Sequence, residues 1–177
     1  QKLRFSPVQK ETVAMYLREK RLLDGKAADV IAASSRGSIG KAVEMMDEAY
    51  LTFKNEVIEK IAGWDGSRDP LAFLSFADEF GNEKKALSER LEILKSWYRD
   101  MLVFKETGET AALIHQDILS TTKSRAEKLD GSDILRGISI IEQAGGALDR
   151  NANKQLTLET MMFKLLGMTV GHRRTLQ

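Results

Sequence analysis

Apolar residues recur at helical spacing along nearly the whole chain, and no segment sustains a period of two, so the pattern predicts an all-α fold. The clearest case is EKKALSERLEILKSWYRDMLVFKETG. There Leu87, Leu91, Leu94, Tyr98 and Leu102 step by four, three, four and four, Trp97, Met101 and Phe104 widen the stripe, and Gly108 supplies a stop.

Shorter helices flank it. RFSPVQKETVAMYLREKRLL opens extended and turns helical. Ser6 and Gln9 stand at capping-box spacing, Pro7 at the first helical position, and Val8, Val13, Tyr16, Leu17 and Leu22 or Leu23 on the apolar side. DGKAADVIAASSRG reads as a second helix ended by Gly37, and SIGKAVEMMDEA as a third with Ser38 as N-cap. YLTFKNEVIEKIAGW begins longer helices, with Leu51, Val57 or Ile58, Ile61 and Trp64 on one face. PLAFLSFADEF, with Pro70 after the capping residue Asp69, is short and very apolar, closed by Gly81 and Asn82. DILSTTKSRAEKL is weakly amphipathic. GSDILRGISIIEQAGGALDRNAN is capped by Ser132 or Asp130 and centres on Ile134 or Leu135, Ile138, Ile141 and Leu148. KQLTLETMMFKLLGM carries Leu158, Met161 or Met162, and Leu165, and TVGHRRTLQ reads as a frayed tail. The change near Ala49 from short helices to long ones divides the chain into a three-helix unit (1–48), a bundle of about five helices (49–170) and a flexible tail (171–177).

Composition narrows the function classes. The 177 residues are 42% hydrophobic and 30% charged, a globular balance with no run long enough to span a membrane. The chain starts with Gln rather than Met and shows no signal-peptide pattern, so a piece of a longer, cytoplasmic protein is expected. Cysteine is absent, which removes disulfides, thiolate chemistry and most zinc sites. A formal net charge of +1 argues against strong autonomous DNA binding.

No catalytic or metal constellation emerges. The two histidines, His115 and His172, lack the Glu-x-x-His spacing of di-iron bundles, DRNANK lacks EF-hand ligands, and there is neither a Gly-x-Ser-x-Gly nor a P-loop. The expectation is no catalytic residue, no metal and no cofactor. Two glycine features stand out. SSRGSIGKAVEMM has glycines and a lysine at a helix mouth, which suggests either a phosphate cradle or a simple turn and N-cap. Gly145 and Gly146 sit inside a helix, where glycine costs roughly 1 kcal/mol relative to alanine, and suggest a kink or a close helix crossing, within the domain or with a partner chain.

Three motifs in register carry a resemblance that spans nearly the whole chain. RFSPV followed by a helix and then GSIGKA resembles the lid of bacterial clamp-loader ATPases. LKSWYRDMLVFKETG resembles the tryptophan-arginine-aspartate helix of the delta-prime subunit of DNA polymerase III, and DRNANKQLTLETMMFKLL resembles the entry to its last helix. The resemblance implies an AAA+ lid over 1–48 and a collar over 49–170, with the ATPase-type domain missing from this piece. It further implies a place in a hetero-pentamer with delta and gamma/tau, and indirect contact with the sliding clamp and primer-template DNA. The collar interface would fall on the helix over 83–106 and the last two helices. ATP-hydrolysing relatives carry a sensor-2 arginine in the pattern Gly-Ser-x-Arg. Here the degenerate region is Gly37, Ser38, Gly40 and Lys41, with Gly40 in the arginine's place and Lys41 one position, about 100° of helix, away. The resemblance therefore implies a non-catalytic subunit, against the rivals of a motor subunit, a related AAA+ ATPase or a free-standing helical adaptor.

Overall fold

The computed structural model describes residues 6–171 apart from 22, 47, 64–79, 81 and 82. Among these residues it is all-helical, with eight helices and no strand. They are α1 (Lys10–Arg21), α2 (Gly25–Ser34), α3 (Ile39–Glu44), α4 (Glu48–Ala62), α5 (Lys84–Thr107), α6 (Leu119–Glu127), α7 (Gly131–Asp149) and α8 (Lys154–Gly171), and a 3-10 turn, Gln116–Ile118, leads into α6. The apolar helix expected over PLAFLSFADEF, its Asp69–Pro70 start, its Gly81–Asn82 close, Leu22, Trp64 and His172 lie outside the described residues, as does the side chain of Leu51.

Local chemistry sets most helix ends. The Asp24 carboxylate accepts from the Ala27 N–H at 2.7 Å, and the Ser38 hydroxyl accepts from the Lys41 N–H at 3.2 Å, each meeting a donor that has no partner inside its helix. Gly108 takes a left-handed φ of 71° and donates to the Phe104 carbonyl at 2.8 Å, ending α5. Asp130 holds the N-cap position of α7.

Two ends differ from the sequence reading. Ser6 and Pro7 do not start α1: the helix begins at Lys10, and the Gln9 carbonyl takes its first amide, from Val13, at 3.1 Å. A non-local bond decides this. The Val8 N–H donates to the Gly37 carbonyl at 3.0 Å, which holds residues 6–9 as a strap over the turn after α2. At the other end α8 continues to Gly171, so Thr169, Val170 and Gly171 belong to the helix and not to a frayed tail.

The buried side chains form two clusters. Val13, Ala14, Leu17, Ala28, Ile31, Ala32, Ala42 and Met45 close the space among α1, α2 and α3, with Val8 of the strap and Tyr16 packed against them. The larger cluster joins α4 through α8, and α5 is its axis, burying eight residues against α4, α6 and α7. At roughly 1.5–3 kcal/mol for each large apolar side chain, α5 contributes the greatest share of that core. Of the alternatives left open by periodicity, Ile134 is buried while Leu135 is 55% exposed, and Val57, Ile58, Met161 and Met162 are all buried.

The glycines of α7 are used differently from the sequence expectation. Gly145 and Gly146 mark no break in the helix and no close crossing within the chain. The helix runs through both, and a methyl group at Gly145 would lie an ordinary 3.7 Å from Leu91. The close crossing is at Gly137, where a Cβ would fall 2.3 Å from the Tyr98 ring.

Candidate functional site

The start of α3 gathers the four residues singled out in the sequence. Gly37 (φ 80°) ends the turn, and a Cβ there would meet the Val8 carbonyl at 2.5 Å, so the strap requires glycine. Ser38 is the cap, and Gly40 sits in the first turn on an exposed face with nothing within 4 Å of a would-be Cβ. Lys41 points elsewhere. It lines a small cleft with Glu89 and Glu92 of α5, so one residue of helix rotation separates an open face from the bundle.

Glu92 is the electrostatic hinge of this cleft. It receives Arg36 at 2.7 Å from the turn before α3 and Lys95 at 2.7 Å from its own helix. Burial alone would raise its carboxyl; the nearby cations of Lys95, Arg36 and Lys41 outweigh burial and hold it below the usual carboxylate range.

A second polar centre lies inside the bundle, and it explains the tryptophan-arginine-aspartate motif. The Asp100 carboxylate is buried and accepts the Ile114 amide at 2.9 Å and the His115 amide at 2.7 Å, with Arg99 donating at 3.0 Å. Trp97 Nε1 donates to the Thr122 hydroxyl at 3.1 Å, and Arg99 also reaches the Ala112 carbonyl at 3.4 Å. The bonds of Asp100 and Arg99 fasten residues 112–115 to α5, and that of Trp97 fastens α6. Burial raises the Asp100 carboxyl from its ordinary value, against the two amides and Arg99.

Two further buried groups complete the centre. Lys54 is fully buried on α4 and pairs with Asp117 of the 3-10 turn; burial lowers its pKa while Asp117 supports the charged form. His115 shares a 2.8 Å hydrogen bond with Ser96 through Nε2, and burial with the adjacent Lys54 charge pushes it down to about 3, so the ring is neutral. Periodicity reads apolar positions and does not pick out Lys54 or Asp117, and His115 stands out only as one of two histidines. One signal was available: Asp100 falls on the buried face of α5, between Trp97 and Phe104. The arrangement suits fastening rather than catalysis, and no group of three or more His, Asp or Glu able to hold a metal occurs among the described residues.

On the outside, the helix over 83–106 spends its main apolar stripe on its own core, while the last two helices expose Leu135, Leu156 and Phe163. Between α5 and α7 runs a groove of about 480 Å³ with an apolar floor and charged rims. No helix among the described residues is long and apolar enough to cross a membrane.

Fold and surface together define an all-helical domain among the described residues: a polar-fastened bundle with some apolar outer positions, joined to a small three-helix unit. A family model described as DNA polymerase III, delta subunit, C terminal, matches residues 51–166, and the chain belongs to that family, a clamp-loader subunit domain. No curated protein and no solved structure matches the chain.

Proposed function

We propose that this chain is the lid (1–48) and collar (49–170) of a delta-prime-type clamp-loader subunit. It is non-catalytic, and its collar holds the hetero-pentamer together while the sliding clamp is loaded on primed DNA. ATP would be bound and hydrolysed in neighbouring gamma/tau subunits. The observation that carries the reading is Gly40. It occupies the sensor-2 arginine position on an exposed face with free space around it, so the site lacks the side chain rather than the room for one. The charge-assisted bond such an arginine makes to phosphate contributes about 1.5–3 kcal/mol, and nothing on this helix face supplies it. Lys41, turned toward Glu89 and Glu92, does not replace it. This favours the silent subunit over a motor subunit, and the family match beginning at Leu51, where the collar would start, favours it over a free-standing adaptor.

Reconstitution tests it. Mixed at micromolar concentration with delta and gamma/tau, the chain should co-elute in size exclusion, and alone it should show no ATPase activity. Failure to co-elute, or entry only into mixtures lacking delta instead of delta-prime, sinks the delta-prime reading. Nucleotide turnover above background sinks the non-catalytic one.

A further inference from the structure

The buried apolar side chains of the three-helix unit and of the bundle fall into separate clusters, and the seam between the two units is open in three places. A cleft of about 700 Å³ lies under the strap, with Val8 and Ala33 on one wall and Ser96 and Ile138 on the other. One of about 40 Å³ lies between Met45 and Ile93, and one of about 100 Å³ between Val30 and Asp117. Ile114 lines all three. The wall of a cleft lacks partner atoms on one side and forfeits dispersion energy. Packing across this seam therefore sets the relative position of the two units only weakly, and the points where they touch set the rest.

The central touching point belongs to the bundle. The Ile114 and His115 amides donate to the Asp100 carboxylate at 2.9 Å and 2.7 Å, so this backbone is fixed to α5. Leu113 beside it is 1% exposed and lines two of the three clefts. The two units are also joined covalently, where α3 passes into α4 through residues 45–47. A fixed post in the middle of a loosely packed seam, with a short chain link to one side, is the geometry of a hinge.

The 3-10 turn after the post opposes rotation. The α2 helix rests on it. Within the turn Asp117 looks both ways: it lines the cleft against α2 with its side chain 28% exposed, and it pairs with Lys54 of α4, whose side chain is 0% exposed. Such a pair adds little stability over apolar side chains of similar volume, yet separating it strands a buried charge, which is strongly unfavourable. The pair therefore defines one steep position for the turn, and with it for the seat of α2. The Arg36–Glu92 pair across the same seam is exposed at both partners and holds weakly by comparison.

We infer that the seam is a hinge, with Leu113–Ile114 as its pivot and the Lys54–Asp117 pair as the latch that keeps the three-helix unit in one orientation on the bundle. The latch closes a circuit: α3 is joined to α4 by the chain, α4 to the turn by the ion pair, and the turn to α2 by packing. A displacement of α4 that draws Lys54 from Asp117 frees the three-helix unit to rock on the pivot. The device goes beyond the clamp-loader reading and does not depend on it.

The chain has no cysteine, so cysteines placed at exposed Lys20 and Ser132 carry spin labels across the seam, and cysteines at exposed Ser88 and Ser132 carry them within the bundle. Electron–electron resonance on the otherwise native chain should give one narrow distance for each pair. Lys54→Met combined with Asp117→Leu, which puts apolar side chains in place of the ions, should widen the Lys20–Ser132 distribution roughly twofold or more and leave the Ser88–Ser132 width unchanged. Amide protection in α5 and α7 should also stay as in the native chain. Should the double variant fail to fold by circular dichroism, Lys54→Met alone takes its place, since it leaves unpaired only the partly exposed Asp117. A native chain already as broad across the seam as the variant, a variant as narrow as the native chain, or equal broadening within the bundle each overturn the inference.

Discussion

The three-helix unit and the five-helix bundle are built from the same secondary structure and held by different means. Four of the eight core residues of the small unit are alanine, so its helices approach closely but bury little area per residue. Its buried Ser35 hydroxyl is satisfied locally by the Ala32 carbonyl at 2.9 Å. The bundle buries Trp97, Tyr98 and a run of leucine, isoleucine and methionine, and among them Lys54, Asp100, His115, Thr122 and Arg125. Buried polar groups must be matched with partners, and here they fix where residues 109–118 lie on α5. The 3-10 turn in that segment is also what α2 rests on. The small unit thus rests on a segment whose seat the bundle's polar centre fixes.

The largest expected effects test that asymmetry. Trp97→Ala removes a fully buried ring, its bond to Thr122 and its edge contact with Tyr98 at 5.7 Å, and should cost about 3–5 kcal/mol in urea unfolding. Both units should lose amide protection together. Leu17→Ala, in the small core, should raise hydrogen exchange in α1–α3 and leave α5 and α7 protected, because local opening limits what it can cost. Equal loss of protection in α5 would show instead that the two cores form one cooperative unit.

Acid should separate the units next. His115 has a folded pKa of about 3 against about 6.5 when unfolded, so between those values the unfolded chain binds the extra proton. Stability from this group is therefore full at pH 7, lost as pH falls below about 6.5, and falling until about 3. At pH 5 the loss is about 2 kcal/mol. Asp100 opposes part of it at the acid end, since its raised pKa lets the folded state take up a proton first. Urea midpoints at pH 7 and pH 5 measure the slope, and His115→Gln should flatten it. An unchanged slope in that variant would place the acid sensitivity elsewhere.

The α7 glycines give a smaller and sharper contrast. Gly137→Ala drives a methyl into the Tyr98 ring, whose hydroxyl is buried, and should cost about 1–3 kcal/mol. Gly145→Ala meets only van der Waals contact and should stabilise by about 0.5–1 kcal/mol through helix propensity. Thermal melts of the two single variants should move in opposite directions.

These glycines also mark how far the sequence could be read. The stripe Leu87, Leu91, Leu94, Tyr98 is buried as its spacing requires, because a helix repeats every 3.6 residues whatever it packs against. The Ser38 cap and the Gly108 stop are equally local, and they stand where the residues place them. Gly137 could not be told from Gly145 in this way, since the distinction depends on Tyr98 in another helix. Ser6–Pro7 looked like a helix start for the same reason: the bond that holds Val8 extended comes from Gly37, far along the chain. At the start of α3 the sequence shows a glycine at position 40 beside Lys41. It did not show that Lys41 turns toward Glu92, because α5 supplies the carboxylates.

The smallest effect concerns the Arg36–Glu92 ion pair, which ties the turn before α3 to α5. Arg36 is 65% exposed, and Lys95 also holds Glu92, so Arg36→Ala should cost only about 0.2–1 kcal/mol, less at high salt. Arg36 also carries a positive φ of 50°, which strains any residue with a Cβ. Arg36→Gly removes the same charge but eases the backbone, and should melt at or above the temperature of Arg36→Ala. If Arg36→Ala instead costs 2 kcal/mol or more, the small unit draws its position from this surface pair as well as from the polar centre beneath it. The seat would then need a second anchor. If both variants match wild type, the seat on residues 109–118 carries the position of the three-helix unit by itself.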